Sequence, residues 1–390
     1  MTDDGPPGPG LRLRLEDRFR GTPLAENLAR TLTPEPLEPL SPADYGRFGP
    51  RDILVTAHKG RFLKPCPGTP AYNCCGLEIF HFGLGCGLGC RYCILAAYLK
   101  TTALVLFGNL DEGLAQFTAL LDRPADMRPL RFGTGEFTDS LLLDRRTGLA
   151  ERLVALAAGR EVIVELKTKT DHVDHLLGLD HRGRTVLGFS LNSPEMARAE
   201  EGRAAPLAAR LRAAARAAGA GYPVSLHFDP LIHYPGWEEG YAETIELLGR
   251  ALAGAGAAKA KVAWVSLGCF RYLPPLKEIM LARHPGTRLF DGEFILAGDG
   301  KRRYPRPLRT KMYKALAQGL ARVLPAETVI YLCMESPRVW RDVFGRDPGT
   351  AGLTALLDAR ARQLLEPQAI EKAGRVKGGA AAPAAADGAV

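Results

Sequence analysis

The sequence predicts an α/β fold, a partial or full (β/α) barrel over residues 76–345, and three observations predict it. Short apolar runs alternate with longer segments whose apolar residues recur at three- and four-residue spacing, the pattern of repeated β-α units around a parallel sheet. About six such units fit into about 260 residues, close to the size of a barrel domain. Polar and chemically active residues gather just after the apolar runs, at the strand ends where such folds carry their chemistry. An open doubly wound sheet has the same periodicity, so the barrel rests on the unit count and on that placement.

The elements follow in order. Residues 1–75 are rich in Pro and Gly, with Pro34, Pro36, Pro39 and Pro42 too closely spaced for a long helix, and read as an extended segment packed on the main domain. Strands are expected at Glu78–Phe82, Leu130–Phe132, Glu161–Leu166, Thr185–Ser190, Val224–Phe228, Lys261–Leu267 and Val329–Leu332. Between them Leu110–Leu121, Gly148–Ala157, Pro206–Ala218 and Trp237–Leu252 have helical periodicity. Residues 346–372 form a helical end, and residues 373–390, close to pure Ala, Gly and Pro, read as a disordered tail.

With 46% apolar residues in a chain of 390, a sizeable core is assured. No apolar run approaches a membrane span, and the start Met-Thr-Asp-Asp-Gly-Pro-Pro-Gly is no secretion signal, so no membrane and a cytoplasmic location are expected. The net charge of +8, from 51 Lys+Arg against 43 Asp+Glu, permits nucleic-acid binding without requiring it. In Leu211-Arg-Ala-Ala-Ala-Arg-Ala-Ala the arginines accompany alanine as a compositional habit.

Eight cysteines, three of them in one loop, suit a reducing compartment and a metal site better than a disulfide framework. Cys86, Cys90 and Cys93 lie in Phe82-Gly-Leu-Gly-Cys-Gly-Leu-Gly-Cys-Arg-Tyr-Cys-Ile. Three thiolates at this spacing can hold three irons of a [4Fe–4S] cluster and leave the fourth open, and the glycines let the backbone wrap an inorganic core. Structural zinc is the competing reading, but it prefers four ligands in paired short dyads, and the chain has no second Cys-x-x-Cys. Cys66, Cys74 and Cys75 are too irregularly spaced for extra ligands and read as packing. His227, Asp229 and His233 form a His-x-Asp-x3-His set compatible with a second metal, a substrate pocket or a structural turn.

The triplet after a first strand resembles that of the radical S-adenosylmethionine (SAM) enzymes. Further stretches, in order, are similar to the spore photoproduct lyase branch: Gly133-Thr-Gly-Glu-Phe-Thr-Asp-Ser, Lys167-Thr-Lys, Phe189-Ser-Leu-Asn, Gly221-Tyr-Pro-Val-Ser-Leu-His-Phe-Asp-Pro, Gly236-Trp-Glu-Glu-Gly-Tyr, Gly300-Lys-Arg-Arg-Tyr and Leu332-Cys-Met-Glu-Ser. The resemblance implies a barrel of the radical SAM type whose [4Fe–4S] cluster binds SAM through its amino and carboxylate groups. An external reductant such as flavodoxin or ferredoxin supplies the electron that cleaves SAM to methionine and a 5′-deoxyadenosyl radical. DNA or a nucleotide-like lesion is the implied substrate; a small molecule or peptide is the alternative, and a non-enzymatic metal-bearing nucleic-acid-binding protein is a third reading.

By the same resemblance Gly133, Gly135 and Glu136 hold the SAM ammonium, and Lys169, Ser190 and Asn192 contact the rest of SAM. Residue by residue, plainer readings exist: a Gly-bearing β-α turn, a solvated strand end, helix caps. Arg303 and Tyr304, within Lys301-Arg-Arg-Tyr-Pro-Arg-Pro-Leu-Arg-Thr-Lys, fall near the hairpin that opens the duplex in the family. Phosphate pairing and base stacking would suit them, and a solvated basic loop is the alternative. His227 and Asp229 are expected at the substrate.

Two departures concern the end of the reaction. Glu136 stands where the family has a cysteine that returns a hydrogen atom to the product radical, and a carboxylate O–H is too strong a bond for that task. Ile94 stands where the family has a tyrosine, while Tyr92 is kept. Cys269 and Cys333, each ending a late strand, are conceivable replacements, with buried free cysteine the plainer reading of both.

Overall fold

The computed structural model describes residues 11–254 and 261–366. The chain opens with β1 (Arg12–Glu16), β2 (Pro34–Leu37) and β3 (Asp52–Thr56). β1 pairs in parallel with both β2 and β3, burying Leu13, Leu15, Leu54 and Val55. β4 (Leu63–Pro65) pairs antiparallel with β5 (Glu78–Phe80). The strand expected to run to Phe82 stops at Phe80. Gly83 and Leu84 then form β6, which crosses to pair with β7 (Leu104–Phe107) and completes a five-stranded sheet ordered β2-β1-β3-β7-β6.

The expectation of an extended segment over residues 1–75 is thereby corrected from Leu11 onward: this part of the chain is a folded sheet layer. Pro34 and Pro36 lie in β2, the edge strand, where a missing N–H breaks no ladder bond. Pro42 opens a short 3-10 turn, Pro42–Arg47, as its fixed φ favours.

The main sheet follows as β8 (Arg131–Gly133), β9 (Ile163–Thr168), β10 (Thr185–Ser190), β11 (Val224–Leu231) and β12 (Val262–Cys269). A small three-stranded excursion of β13 (Arg271–Tyr272), β14 (Ile295–Leu296) and β15 (Arg302–Arg303) precedes β16 (Val329–Leu332). The order is β4-β5-β8-β9-β10-β11-β12-β16, all parallel except β4. Successive parallel strands lie side by side, and among the described residues β16 pairs with β12 alone, so the sheet is a curled half-barrel.

β10 and β12 are buried along their whole length, as expected of strands covered on both faces. The outer layer includes Leu110–Leu121, Leu149–Ala158, Leu207–Gly219 and Trp237–Gly254, close to the expected helices. Two more, Arg306–Val323 and Gly349–Leu365, close the far end. The tail at 373–390 lies outside the described residues.

Candidate active site

Every parallel strand of the half-barrel after β5 sends residues into one cleft of about 240 Å³ at its C-terminal end. Cys86, Cys90, Tyr92, Cys93 and Ile94 come from the loop after β6. Gly135, Glu136, Thr138 and Asp139 follow β8, Lys167 and Lys169 end β9, and Ser190 ends β10. Asp229 and Pro230 lie near the end of β11, Phe270 and Arg271 follow β12, Met334 follows β16, and Lys301 lines the cleft as well. The placement is the one a barrel site requires.

Backbone geometry fixes the cysteine loop. Gly85 and Gly89 have φ of +84° and +71°, open to glycine, and a Cβ on Gly85 would lie 2.8 Å from the Ala103 carbonyl. The 200–203 turn clamps the loop from outside: Arg91 N donates to Glu200 O at 2.8 Å, Arg203 N to Leu88 O at 2.7 Å and Arg203 Nε to Gly87 O at 2.9 Å. Gly202 is what allows this approach, since a Cβ there would sit 2.5 Å from Leu88 O. Among the described residues no three His, Cys, Asp or Glu converge on a point as a single metal ion requires. A cubane asks for something else, each thiolate on its own iron, and three thiols on a glycine cradle suit it. Burial pushes all three thiols up, Cys90 to about 12, with Lys169 pulling Cys90 and Cys93 back. A cationic cluster core would draw off those protons.

Behind Cys90 lies a buried polar knot. Glu201, on the clamping turn, accepts from Tyr92 Oη and from Arg210 Nη2. Arg210 Nη1 donates to the Ser190 carbonyl at 2.6 Å, and the Glu201 carbonyl faces Cys90 Sγ at 3.6 Å. Burial would raise the Glu201 carboxyl, but Arg210 and Lys169 hold it below its ordinary value. Lys169 Nζ stands 5.6 Å from the centre of the Tyr92 ring, so one cation touches the knot while lining the cleft.

Asp139 performs a second joining task. Its carboxylate accepts from Leu141 N and Leu142 N at 3.0 Å, Thr168 Oγ1 at 2.7 Å and Lys169 N at 2.8 Å, tying the loop after β8 to the end of β9. Glu136 and Lys167 both line the cleft. Burial lowers the Lys167 ammonium, and Glu136, Asp229 and Glu165 more than reverse this, leaving it raised.

The structure brings together the three cysteines, Tyr92, Gly135, Glu136, Lys169, Ser190 and Asp229. Five expected site residues lie elsewhere, as does His233. Gly133 is inside β8. Asn192 is turned into the core, accepting from Tyr241 Oη at 2.7 Å and Ser193 N at 3.0 Å. His227 points away from the cleft, its Nε2 2.9 Å from Glu165 Oε1, and His233 packs against Trp237 and Tyr304, so the supposed His-Asp-His set never gathers. Arg303 and Tyr304 are buried rather than offered to a duplex. Arg303 donates to Asp299 at 2.7 Å and lies 4.1 Å from the centre of the Tyr72 ring, while Tyr304 stacks on Phe294 and accepts from His233 N.

A loop carrying three thiols on a glycine cradle, set at the C-terminal mouth of a parallel half-barrel, defines a radical SAM-type enzyme. The spore photoproduct lyase family model matches residues 78–332, and the chain belongs to that family, whose members are radical SAM enzymes. It is 29% identical over 255 residues to a spore photoproduct lyase of Geobacillus sp. (strain Y412MC61), covering 63% of this chain and 74% of the relative. To that of Bacillus subtilis (strain 168) it is 30% identical over 211 residues, 53% of this chain and 60% of the relative. A solved spore photoproduct lyase variant with bound AdoMet and dinucleoside spore photoproduct superposes with a TM-score of 0.70 at 22% identity, over 84% of this chain and all of the other. Another variant gives 0.71 at 23%. These likenesses bear on the fold.

Proposed function

We propose that the protein binds a [4Fe–4S] cluster through Cys86, Cys90 and Cys93, binds SAM in the adjoining cleft, and acts on a thymine lesion in DNA. The observation that carries this is the single cleft that joins the three thiols to Lys169, Ser190, Glu136, Asp229, Arg271 and Lys301. The cluster and SAM together would supply a carbon-centred radical. Lys169 suits a carboxylate and Glu136 an ammonium. Arg271 and Lys301 also line the cleft, each ion-paired within the protein, with Asp229 at 3.3 Å and Asp299 at 3.1 Å. In this reading Glu136, in place of the family cysteine, returns no hydrogen atom, so the reaction ends differently from that of the relatives.

Anaerobic reconstitution with iron and sulfide, then reduction with SAM, tests the reading: about four irons per chain and release of 5′-deoxyadenosine are expected. Cys90→Ala should abolish both. Stoichiometric zinc without SAM cleavage would overturn it, and equal inertness of irradiated and undamaged DNA would turn the substrate toward a small molecule or peptide.

An external one-electron carrier fits a second opening. A second cleft, of about 480 Å³, also reaches the same three cysteines, lined by Arg203, Arg283 and His284 with no carboxylate among its lining residues. An acidic flavodoxin or ferredoxin would meet a basic rim there. Arg283→Glu is expected to weaken flavodoxin binding about tenfold at low salt by titration calorimetry, a difference that shrinks as salt is raised. SAM cleavage driven by dithionite should be unaffected; unchanged flavodoxin affinity would place the docking face elsewhere.

A further inference from the structure

The 200–203 turn holds the cysteine loop by two consecutive carbonyls, and one residue makes both bonds. Arg203 N donates to Leu88 O at 2.7 Å, Arg203 Nε donates to Gly87 O at 2.9 Å, and its Nη2 donates to the same Gly87 oxygen. Gly87 and Leu88 lie between Cys86 and Cys90, so these carbonyls belong to the span that joins two of the three thiols. Gly202, with φ of +57°, permits the approach, since a Cβ there would also come within 2.7 Å of Gly89 O.

The turn is itself fixed by three other parts of the chain. Glu200 accepts from Thr287 Oγ1 at 2.9 Å, Glu201 is paired with the fully buried Arg210, and Ala205 N donates to the Lys169 carbonyl, just past β9, at 2.9 Å. A turn anchored in this way imposes an orientation on the loop. That orientation has an electrostatic consequence, because a trans peptide points its C=O and the following N–H in opposite directions. Among the described residues the one cis bond is Asp229-Pro230, so fixing the Gly87 and Leu88 carbonyls on Arg203 turns the N–H groups of Leu88 and Gly89 away from it. The Cys86 thiol registers this: burial and Asp139 push it up, and the Leu88 N–H draws it back. N–H groups aimed at cluster sulfurs favour the reduced form, which carries the extra negative charge, and so raise the reduction potential. The positive charge of Arg203 acts in the same direction.

We propose that Arg203 is a positioning residue for the cluster: by holding the Gly87 and Leu88 carbonyls on its own side, it turns the loop's N–H groups toward the cluster and raises the potential at which the cluster accepts an electron. The inference rests on the cluster reading above and adds to it the residue that sets the ease of reduction. Arg203 is exposed and lines the second cleft, so its replacement opens no hole in the core.

The test is a potential. It is read on the reconstituted protein without SAM, with dithionite and soluble mediators in place of flavodoxin, from the EPR signal of the reduced cluster. At the poise where half of the parent's clusters are reduced, Arg203→Ala should lower the ratio of reduced to oxidised cluster about threefold or more at the parent's iron content. Arg203→Lys keeps the charge without the planar fork and should fall between the two. An unchanged ratio in Arg203→Ala overturns the proposal, as does full recovery in Arg203→Lys, which would assign the effect to charge alone. Loss of iron with an unshifted potential in the clusters that remain would show a scaffold role and overturns it too. Should Arg203→Ala load no iron, Arg203→Lys alone decides, a lowered ratio supporting the proposal and an unchanged one ending it. A parent that takes up no iron sinks the cluster reading and this proposal with it, whereas a loaded parent with an unshifted variant sinks this proposal only.

Discussion

Glu201→Leu is expected to destabilise the protein by about 3–5 kcal/mol, because it leaves the guanidinium of Arg210 buried without its counter-ion. Arg210 is fully buried, its Nη2 donates to Glu201, and its Nε has no hydrogen-bond partner. Removing the carboxylate also frees Tyr92 Oη, which donates to it. The loss should be visible as a lower midpoint in urea with an unchanged slope. The double variant Glu201→Leu, Arg210→Met should recover most of the loss, since replacing both partners of a buried pair by apolar groups is often nearly neutral. A second effect is local. The 200–203 turn clamps the cysteine loop through Arg91 N and Arg203 N, so the single variant should also load less iron than the parent under identical reconstitution. A cost below about 1 kcal/mol for Glu201→Leu would mean that the pair is not desolvated as described.

The half-barrel was legible because its signal is local. β10 and β16 have the bounds the apolar runs predict, and Leu110–Leu121 the bounds its periodicity predicts. The cysteine loop was legible for the same reason: spacing and glycines within one short stretch carry the chemistry. What sequence reading missed depends on pairing between distant residues. Arg210, just before the Ala/Arg-rich run that begins at Leu211, carried no signal in the sequence, yet it is fully buried and joins Glu201 to the Ser190 carbonyl. Asp139 sat near the end of a motif read for its glycines, and two of its four hydrogen bonds hold the motif to the end of β9 while the other two order its own loop. The basic stretch from Lys301 to Lys311 misled in the other direction. Charge density suggested an exposed DNA-binding loop, but Asp299 takes Lys301 and Arg303, Glu335 takes Arg309, Arg302 lies in β15, and Arg306 and Lys311 belong to a helix. A run of cations states nothing about the carboxylates folded against it. Pro-rich residues 34–42 likewise hid an edge strand, since proline is tolerated only where no neighbour needs its N–H.

His227 illustrates the same point and leads to the second large effect, on stability in acid. Read as a substrate or metal residue, it instead faces Glu165 at 2.9 Å, with Trp264 Nε1 donating to the same oxygen at 2.9 Å and Ser225 Oγ donating as well. Gly188, on the strand between, leaves room: a Cβ there would meet Ser225 Oγ at 2.9 Å and His227 Nε2 at 3.2 Å. Burial alone would raise the Glu165 carboxyl, but His227, Ser225 and Trp264 hold it down to about 2. A carboxylate whose folded pKa lies below its unfolded value stabilises the fold above the unfolded pKa and loses that contribution as pH falls toward the folded one. Between the ordinary 4.5 and about 2, the shift corresponds to roughly 3 kcal/mol, fully present at neutral pH and lost between about pH 4.5 and 2. Urea melts of the parent should therefore give a stability that is nearly flat from pH 8 to 5 and falls steeply below 4.5, with Glu201 and Asp229, also held low, adding to the slope. Glu165→Gln should be less stable at pH 7 and should fall less steeply below pH 4.5, the two curves converging by roughly 3 kcal/mol toward pH 2. Parallel acid limbs for the two proteins would show that Glu165 is not held ionised by its neighbours. Because this cluster joins β9, β11 and β12 behind the strand ends that present Lys167, Asp229 and Arg271, acid should disorganise the cleft together with the core rather than before it.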